Sequence, residues 1–559
     1  MRHPGYGVAL SAALGTLACG GGGAPAHAPG PGAPSGAVTL VVAGAKVYGA
    51  PPGADAVAVS GASIVAVGSS DALRPKCAPP CVVVEAAGGF LMPGFHDAHV
   101  HLYGAGREAS QLVVRGRALA PIQAAVTAYA KEHPELPWIF GRGWEFDGSG
   151  TLPTSADLDA VESRRPVALA DHSGHNLWVN TAALAAAGVD ARTPDVPGGR
   201  IVRGANGAPT GVFIDGAKAM FLGRMPKDSE ADMERWILKG QEIALGAGIT
   251  SAQGGPVSLA MARAYKSLDD AGRLTQRAFL WAPLGVSDSQ LQEWLQFASG
   301  LPKDGHVHVV AFKGFLDGTF AAKTSAMIAP YANAPGETGQ LYFPPGELAR
   351  LVVRANRAGF PVALHAEGDR AVREALDAFE ASKTALHHGL VNRVEHAVVV
   401  DPKDVPRFAQ LGVAASVHPM WLATSSAQSR IFRVAGPTRI GETYAFRTLE
   451  AAGAMLLFGS DYPSGVEIDP IVGLSGAIRR QLKNGEIFAL NEAVDPDAAM
   501  RASTSSPAAA IGMGDRLGKL APGQLADMIL LAGDPREARS RADAPITRMW
   551  IGGRDVPVR

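Results

Sequence analysis

Short apolar runs alternate with stretches of helical pattern through the middle of the chain. This alternation is typical of parallel βα units, in which a helix returns the chain to the start of the next strand. Eight runs qualify as strands, and eight is the number that closes a (β/α)8 barrel. The pattern predicts an α/β fold with a TIM-type barrel over residues 91–510. The predicted carboxyl ends of its strands are His101, Gln253, Ala282, Lys313, His365, His396, Val417 and Asp461.

The interval between the first and second predicted strands is much longer than one βα unit needs. It covers residues 103–245 and carries aromatic, turn-rich segments such as WIFGRGWE and GGRIVRGANGAPTG. Glycine, asparagine and proline at this density favour turns. We expect a long insertion after the first barrel strand, with its own structure, organised as a loop-rich cap.

Both ends of the chain have a different texture from the middle. Short valine-rich runs punctuated by glycine fill residues 38–69, and a similar pattern returns in GKLAPGQLADMILLAGDP and ITRMWIGGRDV. Such runs are typical of short β-strands joined by turns. We expect one small β-sandwich domain assembled from residues 37–90 and 511–559.

The N-terminal segment predicts export from the cell. An apolar run of residues 8–18 precedes Cys19, which is the pattern of a secretory signal. The Thr-Leu-Ala before Cys19 resembles a bacterial lipobox, although Thr16 stands where leucine is usual. We expect a signal peptide over residues 1–18, a Gly/Pro-rich tether over residues 19–36, and a periplasmic protein anchored through lipid on Cys19. Secretion without a lipid is the alternative.

Two further cysteines, Cys77 and Cys81, lie in the turn-like segment CAPPC. In an oxidising compartment they pair locally; free thiols are the alternative. The spacing does not suggest zinc, because no second pair of ligands lies nearby.

Composition narrows the classes of partner. The chain has 559 residues, of which 47% are hydrophobic and 18% charged, with a formal net charge of −1. These values are ordinary for a globular protein and argue against disorder. No run of lysine or arginine indicates a nucleic-acid surface, so a small-molecule substrate is the expected partner. No apolar run in the body of the chain is long enough to cross a bilayer, so any membrane contact would be through Cys19. Homodimer formation is left open.

Chemically active side chains recur at the predicted strand ends: His99, His101, Lys313, His365, His396 and Asp461. The carboxyl ends of all barrel strands meet on one face, where catalytic residues of such folds lie. Packing does not explain so many imidazole, amine and carboxylate groups in one place. Neutral imidazole suits Zn, Fe, Ni or Cu, and carboxylate suits harder ions as well. The convergence predicts a metal site on this face.

The stretch GFHDAHVHL raises the question of which side chains face the barrel interior. In a strand, alternate residues share a face, which places Asp97, His99 and His101 on one side and His96 on the other. If the apolar face packs on helices, His99 and His101 enter the interior close enough to bind one ion. His96 is then a structural histidine.

A second HxH pair, His306 and His308, precedes Lys313. It stands at the beginning of its strand, at the opposite end of the barrel. By parity it also faces away from Lys313. We expect both histidines to be surface or helix-facing residues.

Five motifs occur in order along the chain: PGFHDAHVHL, FKGFLDGT, HAEGDRAV, RVEHA and FGSDYP. With GRGWE, GHNLWVN, PTGVFID, GITSA and LGKLAPGQLADMILL, they resemble the metal-dependent amidohydrolase superfamily. Within it they are similar to the branch that includes N-substituted formamide deformylases. The resemblance covers residues 38–559.

This resemblance implies a centre of two divalent ions, with zinc as the first candidate. Its ligands would be His99, His101 and Asp461 for the buried ion, and His365 and His396 for the exposed ion. Lys313, carboxylated by carbon dioxide, would bridge the ions. An unmodified lysine is cationic and would repel them, so a site with one ion stays open.

The chemistry expected of such a site is hydrolysis by a metal-activated water, with Asp461 moving the proton to the leaving group. The resemblance favours cleavage of a C–N bond other than a peptide bond, in an amide, an N-formyl or N-acyl group, or a cyclic amide. One alternative is hydrolysis of an ester, lactone or carbamate by the same metal site. The other is a lipoprotein that uses the fold as a binding scaffold without catalysis, and the intact ligand set argues against it.

Four residues are predicted to contact the substrate. The resemblance places His175 and Asn180, both in the insertion, near it. Trp144 either lines the pocket or packs within the insertion. His418 follows the seventh predicted strand, where relatives tend to carry glutamine, and its predicted role is a substrate contact.

Overall fold

A computed structural model describes most of the chain and leaves out the predicted leader and Cys19. The described part is residues 36–558 apart from 117, 146–151, 172–175, 197–198, 223, 225–227, 321–322, 345, 388, 425–435 and 466.

The strands are numbered in chain order and belong to four sheets. Their bounds are β1 Leu40–Ala43, β2 Lys46–Val47, β3 Ala56–Ser60, β4 Ser63–Gly68, β5 Val82–Glu85, β6 Phe90–Pro93, β7 Phe95–Asp97, β8 Leu112–Gly116, β9 Ile139–Trp144, β10 Val167–Asp171, β11 Asn176–Val179, β12 Gly199–Arg203, β13 Pro209–Asp215, β14 Ile249–Gly254, β15 Arg277–Pro283, β16 Val307–Phe315, β17 Val362–Ala366, β18 Arg393–His396, β19 Ala414–Val417, β20 Met455–Phe458, β21 Met528–Leu531, β22 Ile546–Ile551 and β23 Arg554–Val556.

The α-helices are numbered in the same way. Their bounds are α1 Ser70–Leu73, α2 Leu102–Ala109, α3 Leu119–Glu132, α4 Ser155–Asp159, α5 Thr181–Ala187, α6 Ala219–Leu222, α7 Glu230–Gly246, α8 Leu259–Asp270, α9 Asp288–Ser299, α10 Glu347–Arg357, α11 Asp369–Ser382, α12 Val405–Leu411, α13 Pro419–Thr424, α14 Phe446–Ala451, α15 Pro470–Arg479, α16 Pro496–Ala502 and α17 Ser505–Ala510. In the part of the chain that the structure describes, no helix is long and apolar enough to cross a membrane.

The centre of the molecule is a sheet of eight parallel strands, in the order β7, β14, β15, β16, β17, β18, β19 and β20. Residues that follow β7 bring the first strand to the last: Ala98 N donates to Phe458 O at 3.0 Å, and Asp461 N donates to His99 O at 2.7 Å. The predicted α/β fold with a TIM-type barrel is confirmed. Two strands are shorter than predicted, because β7 ends at Asp97 and β20 at Phe458.

The small β-domain consists of two sheets. One has the order β4-β3-β1-β5, and the other has the order β2-β6-β21-β22-β23 and so contains strands from both ends of the chain. Leu40, Leu91, Met528 and Trp550 are fully or almost fully buried in one apolar cluster that draws on both sheets. Cys77 and Cys81 form a disulfide at the edge of this domain, with their Cα atoms 5.2 Å apart.

A buried ion pair ties the barrel to the C-terminal strands. Arg277, the first residue of β15, donates to the Asp527 carboxylate at 2.7 and 3.1 Å, and Gly552 N donates to the same carboxylate at 2.8 Å. Removing one member of a buried pair costs roughly 3–5 kcal/mol, because the other charge is left unpaired. The C-terminal strands therefore stabilise the barrel as well as their own domain.

The insertion is more regular than the predicted loop-rich cap. Its strands form a six-stranded sheet in the order β12-β13-β11-β10-β9-β8. Leu169, Trp178 and Val212 form part of its own apolar core. Along the chain, helix α2 precedes the strands of the insertion and helix α7 follows them. The two helices cross where Gly106 meets the backbone of Trp236, and a side chain at position 106 would not fit there. This crossing holds the insertion close to the first barrel strand.

Candidate metal centre

Histidine and aspartate side chains gather at the carboxyl ends of the barrel strands. Asp461 Oδ1 lies 3.1 Å from His101 Nε2 and 3.5 Å from His99 Nε2. In a second group, one ring nitrogen each of His99, His396 and His418 lie within 4.8 Å of one another. Each group offers three ligand atoms close enough to hold one metal ion, and the two groups share His99.

His365 and Lys313 border these groups. The His365 ring lies 4.3 Å from the His396 ring, measured between centroids, and its Nε2 is 3.1 Å from the carbonyl oxygen of Gly318. Lys313 Nζ is buried and has no hydrogen-bond partner in the described part of the chain. The structure thus brings the six sequence-predicted ligands together and adds His418 to them.

Left-handed backbone conformations direct two of these side chains. The φ angle is +73° at His396 and +54° at Asp461. Residues other than glycine avoid this region, and holding one there costs on the order of 1–3 kcal/mol. His396 ends β18, and Asp461 follows β20. In both places the left-handed conformation turns the side chain toward the metal centre. Strand alternation alone would not place it there.

The strand parity predicted for GFHDAHVHL is wrong. His96 stacks on Phe279, which faces the barrel interior, with ring centroids 5.3 Å apart. The Asp97 carboxylate turns away and accepts hydrogen bonds from the backbone N–H groups of His99 and Ser460, at 3.0 and 3.1 Å. Alternation stops at Asp97 because β7 ends there. His99 therefore reaches the centre from a bend held by Asp97, not from a strand.

A buried hydrogen-bond network supports His99. Its Nδ1 lies 2.7 Å from Glu395 Oε2. Arg393 donates to the same Glu395 oxygen at 3.2 Å and to Gln253 Oε1 at 2.7 Å. Gln253 Nε2 in turn lies 3.0 Å from His96 Nε2. Since Glu395 accepts, the proton of His99 is on Nδ1 and the Nε2 lone pair is available at the centre.

Sequence reasoning missed Glu395 and Arg393, although a signal was present. The two stand at alternate positions of RVEH and so share the interior face of β18. A buried carboxylate beside a predicted ligand is the expected partner of an imidazole N–H.

Replacing Glu395 with glutamine tests this support. The variant removes the charge opposite the His99 N–H, so we expect metal affinity or activity to fall by about 10- to 100-fold. Retained metal after dialysis against a chelator, together with kcat/KM, measures the effect. The matched control is Glu380→Gln, at a glutamate 63% exposed on the surface. Equal behaviour of the two variants would contradict the role of Glu395.

His96 gives a prediction for stability against pH. Burial, with the nearby charge of Arg393, lowers the pKa of His96 from 6.5 to about 3. The unfolded chain takes up this proton below about pH 6.5, whereas the folded chain does so only near pH 3. The contribution of the neutral His96 ring to the free energy of unfolding is fully present above pH 6.5. It falls by about 1.4 kcal/mol for each pH unit as the pH is lowered from 6.5 toward 3.

His96→Gln should therefore have a flatter acid limb than the wild type. Free energies of unfolding by denaturant, measured between about pH 7 and about pH 4, give the comparison. His387→Gln, at an exposed histidine, should follow the wild type. Parallel profiles for wild type and His96→Gln would show that the prediction is wrong.

Asp317 is a further residue that the sequence analysis did not single out. Its Oδ1 lies 3.4 Å from His365 Nε2. The same carboxylate accepts backbone hydrogen bonds from Ala326, Glu367 and Gly368, at 2.8, 3.1 and 3.0 Å. Asp317 therefore fixes the loop after β16 beside His365.

Three of the candidate ligands, His99, His365 and His396, are held in the neutral form that binds cations. Burial lowers the pKa of His99 and His396 well below the ordinary value, and that of His365 to about 4, so the rings are neutral near pH 7. His396 Nδ1 and His418 Nε2 are buried without a hydrogen-bond partner among the described residues. Buried polar atoms of this kind are costly unless something binds them. The donor set fits a divalent transition-metal ion.

The insertion residues predicted to contact substrate lie elsewhere or outside the described part. Trp144 is buried, donates from Nε1 to Leu169 O at 2.8 Å and packs on Trp178, so it belongs to the insertion core. His175 lies outside the described residues.

Asn180 has a structural role in the insertion. It is fully buried, and its Oδ1 accepts from Val167 N and Ala183 N, capping α5. Its Nδ2 donates to Glu162 O and Arg165 O. All of its hydrogen-bonding groups are occupied, so the predicted substrate contact does not fit this placement.

Comparison with known proteins agrees with this geometry. The model of the amidohydrolase family matches residues 82–557. The chain belongs to this family. The amidohydrolase is 31% identical over 491 residues to YtcJ of Bacillus subtilis, a protein named as an amidohydrolase, with 84% of this chain and 89% of that protein covered. It is 28% identical over 523 residues to the N-substituted formamide deformylase of Arthrobacter pascens, covering 88% and 92%.

A solved structure gives the same fold. The crystal structure of an uncharacterized metal-dependent hydrolase from Pyrococcus horikoshii superposes on the amidohydrolase with a TM-score of 0.76 and 24% identity, covering 89% of this chain and 98% of that one. Family membership makes the chain a hydrolase with a small-molecule substrate and a divalent metal, and sets aside the non-catalytic scaffold.

Proposed function

We propose that this amidohydrolase cleaves a C–N bond other than a peptide bond, in an amide, an N-formyl or N-acyl group, or a cyclic amide. The similarity to an N-substituted formamide deformylase supports this choice of bond. The observation that carries the proposal is the pair of three-ligand groups that share His99, one of which contains Asp461.

Zinc is the proposed metal, as one or two ions per chain. Neutral imidazole nitrogens with a carboxylate are typical zinc ligands. When bound, such an ion lowers the pKa of its water toward neutrality and polarises the scissile carbonyl. The residues proposed to hold it are His99, His101, Lys313, His365, His396 and Asp461.

Asp461 is the proposed proton carrier. Its carboxylate takes a proton from the attacking water and delivers it to the leaving nitrogen, which general acid–base catalysis requires of one positioned group. The side chain of His101 is 29% exposed, whereas that of His99 is 1% exposed. Substrate therefore approaches Asp461 from the side of His101.

Lys313 is proposed to react with carbon dioxide. Its amine nitrogen forms a bond to the carbon of CO2 and releases one proton to solvent, giving an anionic carbamate. Burial lowers the pKa of this amine to about 8, which raises the fraction in the neutral, nucleophilic form. The product replaces a cation that would repel a metal with two oxygen ligands.

We also propose that the protein is periplasmic and anchored by lipid on Cys19. The Cys77–Cys81 disulfide supports an oxidising compartment. Cys19→Ala should move the protein from the membrane fraction to the soluble fraction after cell lysis. A wild-type protein that is already soluble would contradict the anchor.

A panel of N-formyl, N-acyl and cyclic amides, with esters and lactones alongside, tests the proposed reaction. Purification without chelators and metal analysis by mass spectrometry test the proposed cofactor. We expect amide hydrolysis that is lost on metal removal and restored by zinc. Turnover confined to esters and lactones would overturn the choice of bond, and metal-free protein with full activity would overturn the mechanism.

A further inference from the structure

His418 is the member of the cluster that the proposed ligand set leaves out. It directly follows β19, and the residue is 1% exposed. Its Nδ1 lies 2.9 Å from the carbonyl oxygen of Gly459. A carbonyl oxygen only accepts, so Nδ1 carries the proton and donates it. Nε2 therefore presents a lone pair, and it is buried without a hydrogen-bond partner in the described part of the chain.

Two neighbouring rings present the same unsatisfied chemistry. The His418 ring lies 4.7 Å from His396 and 5.2 Å from His99, measured between centroids. Glu395 fixes the proton of His99 on Nδ1, which leaves its Nε2 as an acceptor. His396 Nδ1 is buried without a partner among the described residues. One nitrogen from each of the three rings lies within 4.8 Å of the other two.

The three rings do not satisfy these nitrogens by hydrogen bonds to one another, since His396 Nδ1 and His418 Nε2 both lack a partner among the described residues. Each lone pair needs a donor or a cation, and burial makes the lack of one costly. A single divalent ion satisfies all three at once, and three imidazoles suit borderline ions such as Zn²⁺ and Co²⁺.

We infer that His418 is a metal ligand and that it forms a three-imidazole site with His99 and His396. The inference rests on the proposed function only in requiring that the chain binds a divalent ion. His99 Nε2 has one lone pair and also lies 3.5 Å from Asp461 Oδ1, in the group that includes His101. One ion bound at His99 would therefore have ligands from both groups. The buried ion would then have more nitrogen ligands than the six-residue set provides for it.

A substrate contact is the other role for His418, and the two roles separate by measurement. A contact residue changes KM and leaves metal affinity unchanged. A ligand changes the affinity and the electronic spectrum of the bound ion. The full-length protein is stripped with a chelator and reloaded with Co²⁺ alone. A competing chromophoric chelator gives the Kd, and visible absorption reports the ligand field.

His418→Phe is the first variant, because phenylalanine keeps a planar ring against His396 but offers no lone pair. We expect the Co²⁺ Kd to rise by more than about 100-fold, beyond the roughly 10- to 100-fold that residues which only orient a ligand cost. His387→Phe, at an exposed histidine, should match the wild type.

His418→Cys is the second variant and decides the matter if the first does not fold. A cysteine thiolate is itself a ligand for Co²⁺, so binding should persist with a new thiolate-to-cobalt charge-transfer band. A Kd unchanged in His418→Phe, or no such band in His418→Cys, would overturn the inference and leave the proposed function intact. Wild-type protein that binds no Co²⁺ or Zn²⁺ would overturn both.

Discussion

Asp461→Asn is expected to lower kcat/KM for the best amide substrate by about 10²- to 10⁴-fold, the usual contribution of a positioned acid–base group. Asparagine has nearly the shape of aspartate and keeps an oxygen that can face His101 Nε2, which lies 3.1 Å from Asp461 Oδ1 in the wild type. It cannot accept and return a proton. The substitution should therefore lower the rate of the chemical step more than it lowers the affinity for the metal.

Steady-state kinetics and metal analysis on the same preparation separate these two effects. Asp304→Asn is the control, since the Asp304 side chain is 87% exposed and pairs with Arg516 on the surface; we expect it to retain full activity. If Asp461→Asn hydrolysed the substrate as fast as the wild type, the proposed proton transfer by Asp461 would be wrong. Lost activity with lost metal would reduce Asp461 to a ligand.

Lys313→Met is expected to leave the protein folded but lower activity by more than about 10³-fold, since a metal contributes several kcal/mol to such reactions and 1.36 kcal/mol corresponds to a factor of ten. Methionine has a similar length and can pack against two aromatic rings, since Lys313 Nζ lies 5.4 Å from the Trp281 ring and 5.2 Å from the Phe315 ring. It cannot form a carbamate, so metal content should fall with activity.

Two further substitutions at position 313 test whether the group that acts there is an anion or a cation. Lys313→Glu supplies a carboxylate on a shorter stem and should retain more metal than Lys313→Arg, which keeps a permanent cation. Lys303→Met, at an exposed lysine, should behave as the wild type. If Lys313→Arg retained metal and activity as well as the wild type, the carbamate would be excluded.

The barrel could be predicted from the sequence because its strands are buried apolar runs separated by helical stretches. That signal is strong for β14 to β20, where each run is bounded by turns. The insertion sheet could not be predicted in the same way. Four of its strands, β8, β9, β12 and β13, contain glycine, and the strands of this sheet pair in both directions, so single windows resemble loops.

The candidate site could be predicted as a set of strand ends, because parallel strands bring their carboxyl ends to one face. Side-chain direction was less predictable. His308, expected to face away from Lys313, stacks on the interior Phe279 at 5.5 Å. The register shifts within β16, where Leu280 pairs with Val309 but Trp281 pairs with Ala311. This bulge resets the alternation, and no residue type marks it in the sequence.

The hydrogen bonds behind His99 limit how the motif could be reused in protein engineering. Grafted alone onto another barrel, HDAHVH would lack the Glu395 carboxylate that fixes the proton of His99. That carboxylate needs Arg393, which also donates to Ala98 O at 2.8 Å and to Gln253. The smallest portable unit is therefore one interior layer of β7, β14 and β18. Its parts are scattered over some 300 residues of sequence and would have to be transplanted together.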